Sequence, residues 1–158
     1  MDGTPGINRR VAEVIVAEAG TEMNRFRTEH HFASWIGVCP GQNESSGKRK
    51  SSKTRKGNRS LRTALVEAAH GAVRKKESYY SAQYRRIAAR RGKKKAILAV
   101  AHSLAIAIYH MLKFKTAYRE LGADFFDKLN PLKVLQRLTT RTENLDYQVQ
   151  VTPISQAA

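Results

Sequence analysis

From Ala96 to Phe114 the chain reads AILAVAHSLAIAIYHMLKF, a stretch that is apolar on most sides of a helix. Such a helix has no face to give to water and must be covered by other elements. The rest of the sequence is therefore read as its cover. A bilayer is the competing environment. The run Ala96–Leu112 carries His102, Ser103 and His110, however, and falls short of the roughly 20 apolar residues a span needs. No signal or lipidation pattern opens the chain. With 158 residues and 41% apolar content there is enough for one ordinary core or two small modules.

The covering helices are legible from period and punctuation. Thr4–Gly20 (TPGINRRVAEVIVAEAG) is a Pro-Gly turn followed by a helix with Val11, Val14 and Ile15 at helical spacing. The turn looks like the PGIG turn and second helix of a helix-hairpin-helix, with Asn8 where a second glycine is usual. In such a turn Gly6 would offer its backbone N–H to a phosphate. Thr28 is placed to cap a short helix through Phe32, Ala33, Trp35 and Ile36, which Gly37 stops. Ser60 is expected to cap a helix over 61–73. Helices over about 78–91, 96–114 and 131–141 follow, the last opened by Pro131 and packing Leu132, Leu135 and Leu138. The fold class expected is all-α, mostly helical. A partial helix-hairpin-helix leader would occupy 1–26 and a helical domain 27–145, with a long basic loop or small hairpin at 40–59. A flexible tail would occupy 146–158.

The net charge is formally +16 and the isoelectric point is near 10.4. Between Lys48 and Lys95 stand eighteen Lys and Arg against two acids, Glu67 and Glu77, so this window alone carries the whole excess. A local excess is a binding footprint for a polyanion rather than general solubilisation. Arg74-Lys75-Lys76, Arg85-Arg86 and Arg90-Arg91 would line a helical hairpin interleaved with Tyr79, Tyr80 and Tyr84. That mixture suits a phosphate backbone with stacked bases. Lys93-Lys94-Lys95 opens the core helix against its dipole, which is unfavourable without an anion. The single cysteine, Cys39, excludes a disulfide framework and a cysteine-based zinc site. The five histidines have no metal-ligand spacing with acids, so no metal is assigned to this chain.

The chemistry concentrates in residues 35–62, WIGVCPGQNESSGKRKSSKTRKGNRSLR. Two hydroxyls, Ser45 and Ser46, precede Gly47 and a dense run of cations. A serine attacks phosphorus when it is oriented and the phosphoryl oxygens are held by positive groups. The cations available are Lys48, Arg49, Lys50, Lys53, Arg55, Lys56 and Arg59, while Asn58 and Arg62 are placed to clamp a phosphate. The same residues would equally make a loop that only grips a backbone.

The elements FASWIGVCPG, NESSGKRKSSKTRKGN and SLRTALVEAA together resemble the C-terminal transposase domain of a family of bridge-RNA-guided bacterial insertion-sequence transposases. The opening PGINRRVAEVIVAEAG and the later YHMLKFKTAY fit the same pattern, so the resemblance covers nearly the whole chain. It implies a nucleophilic serine five residues after the loop proline. With Pro40 that is Ser45, and Ser46 is the neighbouring alternative. Lys56, Gly57, Asn58 and Arg62 match the end of the motif. It further implies DNA cleavage and rejoining through a phosphoserine, a guide RNA, multimeric assembly and a bacterial cytoplasmic, nucleoid-associated location. An acidic resolvase-like domain would hold Mg2+. That domain is not recognisable in this sequence, so the expectation is half of a composite active site, inactive alone. The competing expectations are a non-catalytic RNA- or DNA-binding module and a structural basic protein of the ribosome-associated kind.

Overall fold

The computed structural model describes residues 3–41, 43–51 and 53–152, with 43–45 and 49–51 described by their backbone. In chain order it contains α1 (Arg9–Ala19), a 3-10 turn (Met23–Arg25), α2 (Glu29–Ile36), β1 (Asn43–Ser45) and β2 (Lys48–Ser51). These are followed by α3 (Arg59–Ala72), α4 (Tyr79–Arg91), α5 (Lys93–Phe114), α6 (Phe125–Lys128) and α7 (Pro131–Glu143). The fold is mostly helical. The chain divides into two compact units between Ala123 and Asp124.

In the first unit α5 is the axis. Its Val100, Ala101, Leu104, Ala105 and Ile108 are buried, and α2, α3 and α4 all pack on it. The run expected to be too short for a bilayer is longer as a helix, because Lys93–Lys95 join it. It has 22 residues and contains an 18-residue window of mean hydropathy 1.6, long and apolar enough to cross a membrane by length and composition. The three helices packed around it account for that apolarity. Small residues set the packing distance: Ala64, Ala68, Ala69 and Ala72 of α3 are buried, which lets neighbouring backbones come close.

One such approach is made by the turn before α1. Gly6 has φ +79°, and a Cβ there would collide with the Ala68 carbonyl oxygen and lie 2.7 Å from the Ala72 nitrogen. Gly71 is its counterpart, with its own Cβ position 3.2 Å from the Gly6 Cα. A helix-hairpin-helix leader is not discernible. Among the described residues the Thr4–Ile7 turn leads into α1 alone, and packing against α3 is sufficient to require glycine at position 6. Residues 9–26 do not stand apart as a leader, since Val11, Ile15, Ala19 and Met23 belong to the same core as α3 and α5. Arg25 closes the end of α1. It donates to the Ala19 carbonyl at 2.6 Å, and its guanidinium lies 4.7 Å from the Phe26 ring centre.

The cap of α3 differs from expectation. Asn58, not Ser60, accepts from the Leu61 N–H at 2.9 Å, and its Nδ2 donates to Glu18 Oε2 at 2.7 Å. Asn58 thus starts α3 and ties it to the end of α1. Replacing Asn58 by Ala is expected to cost about 1–2 kcal/mol, since both bonds are lost. Ser60→Ala should stay within about 0.5 kcal/mol. Urea denaturation of the two variants checks the contrast.

In the second unit Asn130 caps α7, accepting from the Lys133 N–H at 3.2 Å, and Pro131 takes the first helical position. Lys128 and Asp124 form an ion pair across α6. Leu132, Leu135 and Leu138, expected as packed residues, remain exposed. A 13-residue helix beside a four-residue one has little apolar surface within its own unit to bury them. Residues 147–152 form no helix or strand, and the part of the expected tail from 153 on lies outside the described residues.

Candidate functional site

The serine segment rises between the end of α2 and the start of α3, and its root is pinned by backbone contacts. Gly37 ends α2 in the left-handed region at φ +87°, its N–H turned back onto the carbonyls of Ala33 and Ser34. The returning strand passes directly over it. A Cβ on Gly57 would sit 2.5 Å from the Gly37 nitrogen and from the Ile36 carbonyl carbon and oxygen. Two bonds close the root: Asn58 N–H donates to the Trp35 carbonyl and Gly41 N–H to the Lys53 carbonyl, each at 3.1 Å. A Cβ on Gly41 would overlap that same Lys53 oxygen. The glycines of CPGQ and RKGN are therefore demanded by two backbones in contact. Arg62 adds a side-chain tie, donating to Thr54 Oγ1 at 2.9 Å.

Beyond the root the chain forms an antiparallel pair, with Ser45 opposite Lys48 and Glu44 opposite Arg49. Ser46 and Gly47 make the two-residue turn, with φ +52° and +73°. Positive φ at both positions marks a type I′ hairpin turn, whose twist matches that of paired strands. The two serines thus occupy different environments. Ser46 is an exposed turn residue in a conformation that costs a non-glycine residue about 1 kcal/mol. Ser45 sits at the last paired position of the strand.

The expected cations divide between two ends of the unit. Lys48, Lys53, Arg55, Lys56 and Arg59 are exposed on the hairpin and at the start of α3. Arg49 and Lys50 lie on β2. Arg74, Lys75 and Lys76 are exposed after the far end of α3, a helix of 14 residues, and so lie roughly 20 Å from its start. They do not join the serine hairpin. Arg85 bends back to Ser81 of its own helix at 3.2 Å, and Arg86 lies on the next position of α4. Lys48, Arg55, Lys56, Arg59, Arg74, Lys75 and Lys76 take part in no described ion pair.

Arg91 and Lys95 were expected only as groove and helix-start residues. The structure puts both in the wall of a cavity of about 450 Å3 that also includes Val38 and Pro40, at the foot of the hairpin. The sequence signal for this was the run RRGKKK, in which Arg90 and Arg91 close α4 and Lys93, Lys94 and Lys95 open α5 on either side of Gly92.

Three other candidate nucleophiles are poorly suited to attack. Burial pushes the Cys39 thiol up, keeping it protonated. Burial, then Glu120, pushes the Tyr118 phenol up to about 12, and burial raises Tyr80 further still. Among the described residues no three His, Cys, Asp or Glu side chains come together as a metal site, so no step is assigned to a metal on them.

His102 lies half-buried in the same cavity, stacked with His30 at 6.2 Å between ring centres. Burial first, and then His30, lowers its pKa. The ordinary value is about 6.5. In the window just below it the unfolded chain takes up a proton that the folded chain refuses, so stability falls as pH falls. Denaturation midpoints at pH 7.5 and 5.5 should drop less for His102→Gln than for the natural chain.

A serine hairpin rooted on a strongly basic helical unit defines the class: a basic helical domain that carries a serine hairpin. Sequence comparison identifies the family. A profile described as "Transposase IS116/IS110/IS902 family" matches residues 2–85, just over half of the chain, and the chain belongs to this family. A protein described as "Probable family 20 transposase" from Pseudomonas aeruginosa is 30% identical over 118 residues, covering 72% of this chain and 35% of that protein. The chain thus spans about a third of the length of the curated relative it matches. No solved structure matches.

Proposed function

We propose that this chain is the serine-nucleophile and nucleic-acid-binding part of a DNA transposase, with Ser45 as nucleophile. The observation that carries the choice of serine is the hairpin geometry. Ser45 holds a paired strand position opposite Lys48, while Ser46 is spent on a type I′ turn. Pairing limits the conformations of the Ser45 backbone, which is what orientation for attack requires.

In the reaction Ser45 Oγ gives its proton to a base and forms a bond to a DNA phosphorus. The bond from that phosphorus to a deoxyribose oxygen breaks, and the oxygen takes up a proton and leaves as a hydroxyl. A hydroxyl from the second strand then attacks the phosphoserine, the P–Oγ bond breaks, and the serine is restored. Phosphodiester number is conserved, so no nucleotide cofactor is consumed. Lys48 and the other cations of the hairpin hold the phosphate oxygens whose charge grows in the transition state. The base and the Mg2+ site belong in this reading to an acidic resolvase-like domain acting beside this one, in a multimer with guide RNA.

The test is a full-length transposase carrying this sequence, incubated with guide RNA and nicked DNA. It is expected to trap a detergent-resistant protein–DNA adduct whose tryptic peptide bears a nucleotide on Ser45. An adduct on Ser46 would move the nucleophile. Tight binding with no adduct would leave a nucleic-acid-binding module without chemistry of its own.

A further inference from the structure

The cavity at the foot of the hairpin has a composition that phosphate binding alone does not require. Its volume of about 450 Å3 lies within the range of pockets that take small organic ligands. Ile87 of α4 and Leu98 of α5 make apolar walls, and the His102 ring, kept neutral by its surroundings, adds an aromatic one. Arg91 and Lys95 are exposed at its edge.

One polar group in this wall has spare hydrogen-bonding capacity. Gln83 Nε2 donates to Ser103 Oγ at 2.8 Å, and both residues line the cavity. Gln83 Oε1 is buried with no partner, the one such side-chain atom among the described residues. Turning the amide over would exchange the roles of its two ends at Ser103. A buried amide atom left without a partner is unfavourable, and a rotation of the Gln83 side chain that brings it to the cavity would let a ligand's complementary edge satisfy it.

Apolar walls, an aromatic face, an amide with an unused end and cations at the edge match one chemical class. We infer that this cavity receives a single unstacked nucleobase from a strand lying on the basic face, with Gln83 meeting the base edge and Arg91 and Lys95 holding the adjoining phosphates. This rests on the nucleic-acid-binding part of the proposed function and adds a base-reading site to it. Aliphatic and aromatic walls favour a base that has left its stack, so the ligand is single-stranded. Ribo- and deoxyribonucleotides share this chemistry.

The experiment is a 13C-methyl and 15N NMR titration of the purified chain with a mixed-sequence tetranucleotide, as RNA and as DNA. Abasic tetranucleotides of the same backbone serve as controls. Base-bearing strands are expected to shift the Leu98 and Ile87 methyls and the Gln83 side-chain amide. Abasic strands should shift exposed basic residues only. Gln83→Leu should weaken base-bearing strands about fivefold and abasic strands hardly at all. Leu98→Trp, which fills the cavity, should bring base-bearing affinity down to the abasic level, with circular dichroism and retained abasic binding showing that it folds. A response to RNA alone, DNA alone or both identifies the source of the base. Binding at the basic residues with the cavity methyls unmoved by any strand overturns the base site and leaves the proposed function standing. No binding of any strand overturns both.

Discussion

Ser45→Ala in a full-length transposase is expected to reduce strand transfer by at least about 1,000-fold, because covalent catalysis is lost with its nucleophile. Binding of DNA and guide RNA should change less than about threefold, since the cations that carry affinity are untouched. Ser46→Gly should retain transfer within about threefold. Glycine accepts φ +52° without strain, so the turn is kept and eased. The pair of variants separates two neighbouring hydroxyls by what their backbones do. Loss of transfer in Ser46→Gly with retention in Ser45→Ala would reverse the assignment. Equal, small losses in both would favour a hairpin that only binds.

Gly57→Ala is expected to have the largest effect of any change outside the serine itself. Its Cβ would lie 2.5 Å from three backbone atoms of Ile36 and Gly37, none of which is the end of a flexible side chain. The returning strand must move off α2, which breaks the Asn58-to-Trp35 bond at the root. Asn58 is also the cap of α3, so the displacement reaches the start of that helix. A cost of about 2–4 kcal/mol follows, within the range of severe packing and backbone substitutions. Thermal denaturation measures that cost. Transfer by any folded fraction should also fall, because the root sets where Ser45 stands. Unchanged stability in Gly57→Ala would mean that the root is not clamped as described.

Much of this was legible in the chain. The apolar run around Leu104 announced a central helix, and the cap Thr28 and the stop Gly37 bracket α2 where local chemistry places them. Where reading failed, a distant partner had intervened. Ser60 was a plausible local cap, but Asn58 is held in place by Glu18, forty residues earlier, and starts the helix two residues sooner. PGIN has the local form of a phosphate-binding turn, but Gly6 lies against α3, a contact that its neighbours in sequence do not reveal. Leu132, Leu135 and Leu138 have helical spacing, which predicts the helix but not the surface that would cover it.

The candidate site divides along the same line. Local sequence was sufficient to mark a serine loop dense in cations, because composition and turn residues act over a few positions. It could not separate Ser45 from Ser46 by conformation, or show that Arg74–Lys76 stand a helix length away while Arg91 and Lys95 line a cavity with Pro40. Those facts depend on which helices run antiparallel and how closely glycine lets their backbones approach. By itself the sequence determined a helical, locally basic chain and its family. Only tertiary packing decided which serine is held in a paired strand and which cations share its surroundings, because distance through space is set by contacts between residues far apart in the chain.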